Sequence, residues 1–354
     1  MPASEPYIPE RVHLVGSIGL GSVDEVFRTV GQLLGRRVTR VPDGEVGGRR
    51  LWISWQYPLL RSSPFLEPDP AGTVHRLSRF PILALADGVQ PTDIQFGELG
   101  YAREARISYQ DFCAARASGQ LPRHAKFQVS LPTPMAVTYS YCRERDLLAV
   151  YDAYERDMLR EVATLCASIP HADLCLQWDV CQETLLWDGQ PFDMYPRLGA
   201  APDDIIRRLR RICGAVPADV DLGMHLCYGD FRAQHFLQPR DAGRMVELAN
   251  ALFTVLPRPL TYMHMPVPIE RTDEAYFAPL RQLKLPAGTG LYLGVVHAAD
   301  GIGGTRQRIA VANRYVDDFG IATECGIARA RSPQLVKTLL ELHALASREP
   351  ADCC

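Results

Sequence analysis

The chain has 354 residues, 47% hydrophobic and 22% charged, the balance of an ordinary globular protein that buries its core without covalent staples. A net charge of −3 and a pI near 6.3 provide no global field toward nucleic acid or anionic lipid, so neither is an expected partner. No run reaches the ~18 apolar residues of a membrane span. The stretch Met1 to Glu10 has no apolar core of signal-peptide type, and ten cysteines in that context point to reduced thiols and a cytoplasmic location.

In chain order, a short apolar run, a polar or glycine-bearing turn and an amphipathic helix recur. The spacing predicts strands over His13–Gly16, Val38–Pro42, Phe127–Leu131, Leu174–Val180, Val220–Cys227, Leu260–Met265, Leu291–His297 and Ile321–Cys325. Helices are predicted over Asp24–Leu34, Asp146–Ser168, Asp203–Cys213, Ala242–Val255, Glu274–Leu283, Thr305–Asp318 and Pro333–Ala346. The last starts well, with Ser332 as N-cap and Pro333 in the first turn. Strands alternating with helices imply a parallel sheet, and eight units imply a closed (β/α)8 TIM barrel forming a single α/β domain over 1–354. Residues 52–120, rich in proline, break the rhythm. They read as an insertion capping the barrel mouth, with a small hairpin near Ile94–Phe96 and a helix near Tyr109–Ala117. The glycines of Val15-Gly16-Ser17-Ile18-Gly19 do not match the dinucleotide-binding spacing.

Polar residues gather at the carboxyl ends of these strands, where a βα barrel builds its active site. Gly16-Ser17, Asp43-Gly44-Glu45, Asp179, His225-Leu226-Cys227, His264, His297 and Glu324-Cys325 all fall there. His225 and Cys227 are the most informative pair. Residues i and i+2 of a strand share a face, so an imidazole and a thiol point together into the mouth, half of a zinc site. Cys325 is well placed as third donor, and His264 is the preferred fourth over Glu324, although His264 could equally contact substrate. A core histidine beside an inert thiol is the bland alternative. Asp43, Glu45 and Asp179 are the acid–base candidates, Asp43 having an equal claim as a turn residue in Pro-Asp-Gly. Trp52, Trp55 and Trp178 are candidate pocket walls. Cys353 and Cys354 read as exposed thiols.

The motifs "PDGE", "QWDV", "HLCYGD" and "ATECG" resemble the catalytic barrel of cobalamin-independent methionine synthase and its wider superfamily, which includes uroporphyrinogen decarboxylase. The resemblance spans most of residues 11–346. It implies zinc held by His225, Cys227 and Cys325, an amino-acid substrate gripped by Val15-Gly16-Ser17, and its ammonium held by Asp179. The sequence departs where the family places a liganding glutamate, near His264, and at Gly294-Val295-Val296-His297, where an imidazole replaces a carboxylate. No folate-recognition motif is traceable. The expected activity is transfer of a methyl or alkyl group from a small-molecule donor to a small thiol bound at Zn2+. Gly16, Ser17, Trp178 and Asp179 would position the substrate, and Asp43, Glu45 and His297 would contact the second substrate or move protons. A zinc lyase or hydrolase, a metal-free decarboxylase and a binding protein are the alternatives. Nothing in the sequence indicates an oligomeric state.

Overall fold

A computed structural model describes residues 7–190, 201–231 and 233–350, so Cys353 and Cys354 lie outside the described residues. Helix α1 (Val23–Leu34) starts where the Ser22 side chain accepts from the Glu25 N–H, and it buries Val26, Phe27, Val30 and Leu34. Strand β1 (Arg40–Pro42) follows. A short helix α2 (Tyr57–Ser62), strands β2 (Leu66–Pro68) and β3 (Leu83–Leu85), and helix α3 (Tyr101–Ala117) fill the span before β4 (Lys126–Pro132).

The hairpin expected near Ile94–Phe96 is formed instead by β2 and β3, which pair antiparallel, while Pro91–Asp93 makes a short 3-10 turn. Helix α3 begins eight residues ahead of the expected Tyr109, and the cause lies on a distant helix. Glu161 accepts from the N–H groups of Leu99, Gly100 and Ala102, and Asp157 from those of Phe96 and Gly97. Glu161 thus satisfies a first-turn donor of α3, and with Asp157 it anchors the segment that leads into the helix.

Helix α4 (Pro134–Tyr141) and the long α5 (Leu147–Ser168) precede β5 (Leu174–Val180). Next come α6 (Gln182–Asp188), α7 (Pro202–Gly214), β6 (Asp221–Leu226), α8 (Gly243–Val255) and β7 (Tyr262–Pro266). Helix α9 (Glu274–Phe277) passes into a 3-10 turn over Ala278–Gln282, where Pro279 denies the helix a backbone donor. The chain then forms β8 (Gly290–Gly294), α10 (Gly301–Ala312), β9 (Gly320–Ile321) and α11 (Pro333–Ala346). Among the described residues no helix is long and apolar enough to cross a membrane.

Seven strands form one curled parallel sheet in the order β1-β4-β5-β6-β7-β8-β9. The first expected strand, His13–Gly16, does not join it as a ladder. Isolated parallel bridges link Val12 to both Val38 and Ile321, Ser17 to Gly44, and Ile18 to Ile327. The segment's carbonyls are drawn to side chains inside the curve of the sheet. Gln128 donates to the Leu14 and Val15 carbonyls, and Ser130 and Gln177 also donate to that of Val15. Below them the interior is filled by aromatic and cationic groups, with the Arg40 guanidinium 4.3 Å from the Tyr262 ring centre.

Candidate metal centre and cavity

A cavity of about 250 Å³ opens at the carboxyl ends of the strands. Its polar side is formed by Ser17, Glu45, Asp179, His225, Cys227, Cys325 and Arg329, and its apolar side by Leu51, Trp52, Ile53, Phe80, Tyr141 and Phe236. Close backbone approach requires two of its glycines. A Cβ on Gly326 would stand 2.2 Å from Ser17 Oγ, and one on Gly16 would stand 2.7 Å from Glu45 Oε1.

His225, Cys227 and Cys325 offer donor atoms within 4.8 Å of one another. The sulfurs of Cys227 and Cys325 are 3.7 Å apart. Tetrahedral zinc with Zn–S bonds of about 2.3 Å requires an edge of about 3.8 Å between two sulfurs, so the spacing fits. Cys227 Sγ accepts from the Gly229 N–H at 3.2 Å, and Cys325 Sγ from Arg329 Nη2 at 3.2 Å. Both thiol pKa values lie well above the ordinary range. The largest cause at Cys227 is a hydrogen bond with the Cys181 thiol, and at Cys325 a hydrogen bond with Cys227; burial adds to both. A bound metal would have to displace those protons.

The protonation of His225 follows from its neighbours. His264 Nε2 faces the Thr323 carbonyl at 3.1 Å, so that nitrogen carries a proton. Burial lowers the His264 pKa to about 3, leaving the ring neutral with a lone pair on Nδ1. That lone pair meets His225 Nδ1 at 2.7 Å, so His225 donates there. Burial also keeps His225 neutral, and its Nε2 is buried without a partner among the described residues. An imidazole held in this tautomer presents a bare lone pair, the form a metal takes.

The structure brings Gly16, Ser17, Glu45, Asp179, His225, Cys227 and Cys325 to one cavity and leaves other expected residues outside it. Among these, His264 stands behind His225 with both ring nitrogens engaged, rather than beside the sulfurs. Trp178 is fully buried on the face of β5 opposite Asp179, as strand alternation demands, and packs in the core. His297 donates to or accepts a hydrogen bond from no cavity residue; its Nε2 sits 2.8 Å from the Val267 carbonyl, as donor. Asp43 closes the turn, accepting from the Glu45 N–H at 2.9 Å and from Arg49 Nη2 at 2.6 Å. Trp55 borders a smaller recess beside Tyr101.

The acidic side of the cavity belongs to Glu45 and Asp179. Burial raises the Glu45 pKa to about 8, with the nearby Asp179 charge adding to the shift. Burial raises that of Asp179 to about 7, against the hydrogen bond from Gln177 and the charge of Arg329. Glu45 and Trp52 both have left-handed backbones, at φ 50° and 54°, and such strain concentrates at functional sites.

Among the cysteine, carboxylate and arginine residues of the cavity, Cys181, Arg329 and Asp230 were not singled out from the sequence. Cys181 follows Asp179 at the same i, i+2 spacing that singled out His225 and Cys227, so a signal existed. Arg329 gave none, and Asp230 stood only as the last residue of "HLCYGD"; their pairing joins residues 99 positions apart, with Arg329 Nε donating to the Asp230 carbonyl at 3.0 Å.

No family model matches the chain, and no curated protein matches it. Solved structures do. The chain is similar to a B12-independent methionine synthase from Shewanella sp. W3-18-1, at 13% identity and TM-score 0.58, over 96% of this chain and 97% of that one. It is also similar to a protein from Listeria monocytogenes assigned as a vitamin-B12 independent methionine synthase, at 12% identity and TM-score 0.55, over 97% and 99% of the two chains. The fold is therefore the one found in these methionine synthase-like structures, in line with the motif resemblance.

Proposed function

We propose that the chain is a zinc-dependent transferase that moves a methyl or alkyl group from a small-molecule donor to a small thiol. In this reading it is a single-domain barrel whose eighth stave is the segment around Val12–Ile18, with residues 52–120 as a cap. The observation that carries the proposal is the donor set: two sulfurs at a tetrahedral spacing of 3.7 Å and an imidazole nitrogen left without a partner. Zinc held by thiolate and imidazole ligands would supply the Lewis acidity that favours the thiolate form of a substrate thiol.

His225, Cys227 and Cys325 would hold the metal, and His264 orients His225 from behind. Asp179 and Glu45 line the approach to the sulfurs. They accept the proton a thiol sheds on binding, or hold a cationic group of the substrate; Gln177 fixes the Asp179 carboxylate by a 2.8 Å hydrogen bond. Ser17, whose buried Oγ has no partner among the described residues, is placed to bond substrate. The apolar wall of Leu51, Ile53, Phe80 and Phe236 keeps water from the reacting carbon.

The test is to titrate cobalt-substituted protein with 2-mercaptoethanol, cysteine and homocysteine while following its visible absorption. A saturable spectral change with at least one thiol, absent with the corresponding alcohol or thioether, is expected. An unchanged spectrum with all three thiols would reject thiol activation.

A further inference from the structure

The fourth corner of the metal site is the open question in the donor set, and the obvious carboxylate and imidazole neighbours are engaged elsewhere. His264 uses both ring nitrogens. Glu324 Oε2 lies 3.2 Å from His235 Nε2, and Asp230 Oδ2 lies between Arg329 at 3.4 Å and Arg331 at 3.0 Å.

The register of β5 and β6 points to another donor. Asp179 pairs with His225 and Val180 with Leu226, and the Cys227 N–H donates to the Val180 carbonyl at 3.0 Å. One further step along both chains sets Cys181 beside Cys227. Asp179, Cys181, His225 and Cys227 all border the cavity, so the two chain ends present a block of four side chains to it. Cys181 is fully buried.

We propose that Cys181 provides a third sulfur ligand, making the centre one imidazole and three thiolates. This rests on the zinc reading of His225, Cys227 and Cys325. Those three donors are already mutually close, and Cys181, set beside Cys227 by the strand register, borders the same cavity. Three thiolates beside zinc carry one excess negative charge, and the largely buried Arg329 guanidinium, 3.2 Å from Cys325 Sγ, stands where it offsets that charge. A substrate thiolate would then enter by displacing a protein ligand or by expanding the coordination shell.

X-ray absorption at the zinc edge of the zinc-loaded full chain counts the sulfurs directly. Three sulfurs and one nitrogen are expected in the wild type, falling to two sulfurs in Cys181→Ser, with zinc still bound more weakly. Two sulfurs in the wild type, or a sulfur count unchanged by Cys181→Ser, would overturn the assignment. An oxygen donor in place of the third sulfur would also overturn it and point to Asp230, whose Oδ1 is buried without a partner. Wild-type protein that holds no zinc, or holds it unchanged in Cys227→Ser, would bring down the underlying metal reading; two sulfurs with zinc lost in Cys227→Ser would remove Cys181 alone.

Discussion

His225 Nδ1 and His264 Nδ1 stand 2.7 Å apart, and a hydrogen bond between two like nitrogens demands opposite tautomers of the two rings. The Thr323 carbonyl selects the tautomer of His264, and His264 thereby selects that of His225. A backbone oxygen on the loop that carries Cys325 thus sets which nitrogen of a β6 histidine carries the proton and which keeps a bare lone pair.

Removing His264 should weaken metal binding without removing a ligand. Outer hydrogen-bond partners of liganding histidines contribute about 10–100-fold in affinity. His264→Ala is expected to lower zinc affinity by about that factor while the ligand count at the metal stays the same. Competition with a chromophoric chelator measures it; wild-type affinity in the variant would show that the imidazole pair has no bearing on the metal.

The two cavity carboxyls make stability depend on pH. Glu45 is shifted from an ordinary 4.5 to about 8 and Asp179 from 3.8 to about 7, so the folded chain holds protons that the unfolded chain has lost. Their contribution is fully present below the ordinary carboxyl range and is lost as pH rises through about 7 to 8. Urea unfolding of metal-free protein should therefore show Glu45→Gln gaining on wild type from about pH 5 to about pH 9. Parallel midpoints across that range would contradict a raised Glu45 pKa.

Gly223 on β6 should tolerate no side chain. A Cβ there would lie 1.9 Å from Cζ of Tyr262, whose ring is held by Arg40 and whose hydroxyl donates to Gln177 Oε1 at 2.8 Å. Overpacking of this kind costs about 1–3 kcal/mol. Gly223→Ala should lower the unfolding midpoint accordingly, and a midpoint equal to wild type would mean that the ring moves freely.

The parallel sheet was legible in the sequence because buried strands such as Leu174–Val180 are apolar runs bounded by turns. The ends of elements were less so. Only Ile321 of the expected Ile321–Cys325 strand lies in a strand, the two-residue Gly320–Ile321; the rest is a loop that folds Cys325 toward Cys227, a geometry that periodicity does not encode. Helix α3 extends back to Tyr101 because Glu161, on another helix, caps it. Within the site, side-chain alternation identified His225 with Cys227, and the same rule would have set Trp178 on the face opposite Asp179. Arg329 and Asp230 meet only through the tertiary fold, and the His225–His264 pair reads as two ligands until hydrogen-bond partners are known.

Zinc content of the purified chain, measured beside Cys325→Ser, tests the central claim most directly. Cys325 comes from a loop remote in sequence from His225 and Cys227, so its loss should dismantle the site while sparing the sheet. About one zinc per chain in the wild type, with most of it lost in the folded variant, is the predicted result. Wild-type protein purified without chelators that neither contains nor takes up zinc, or a variant that keeps its full complement, would contradict it.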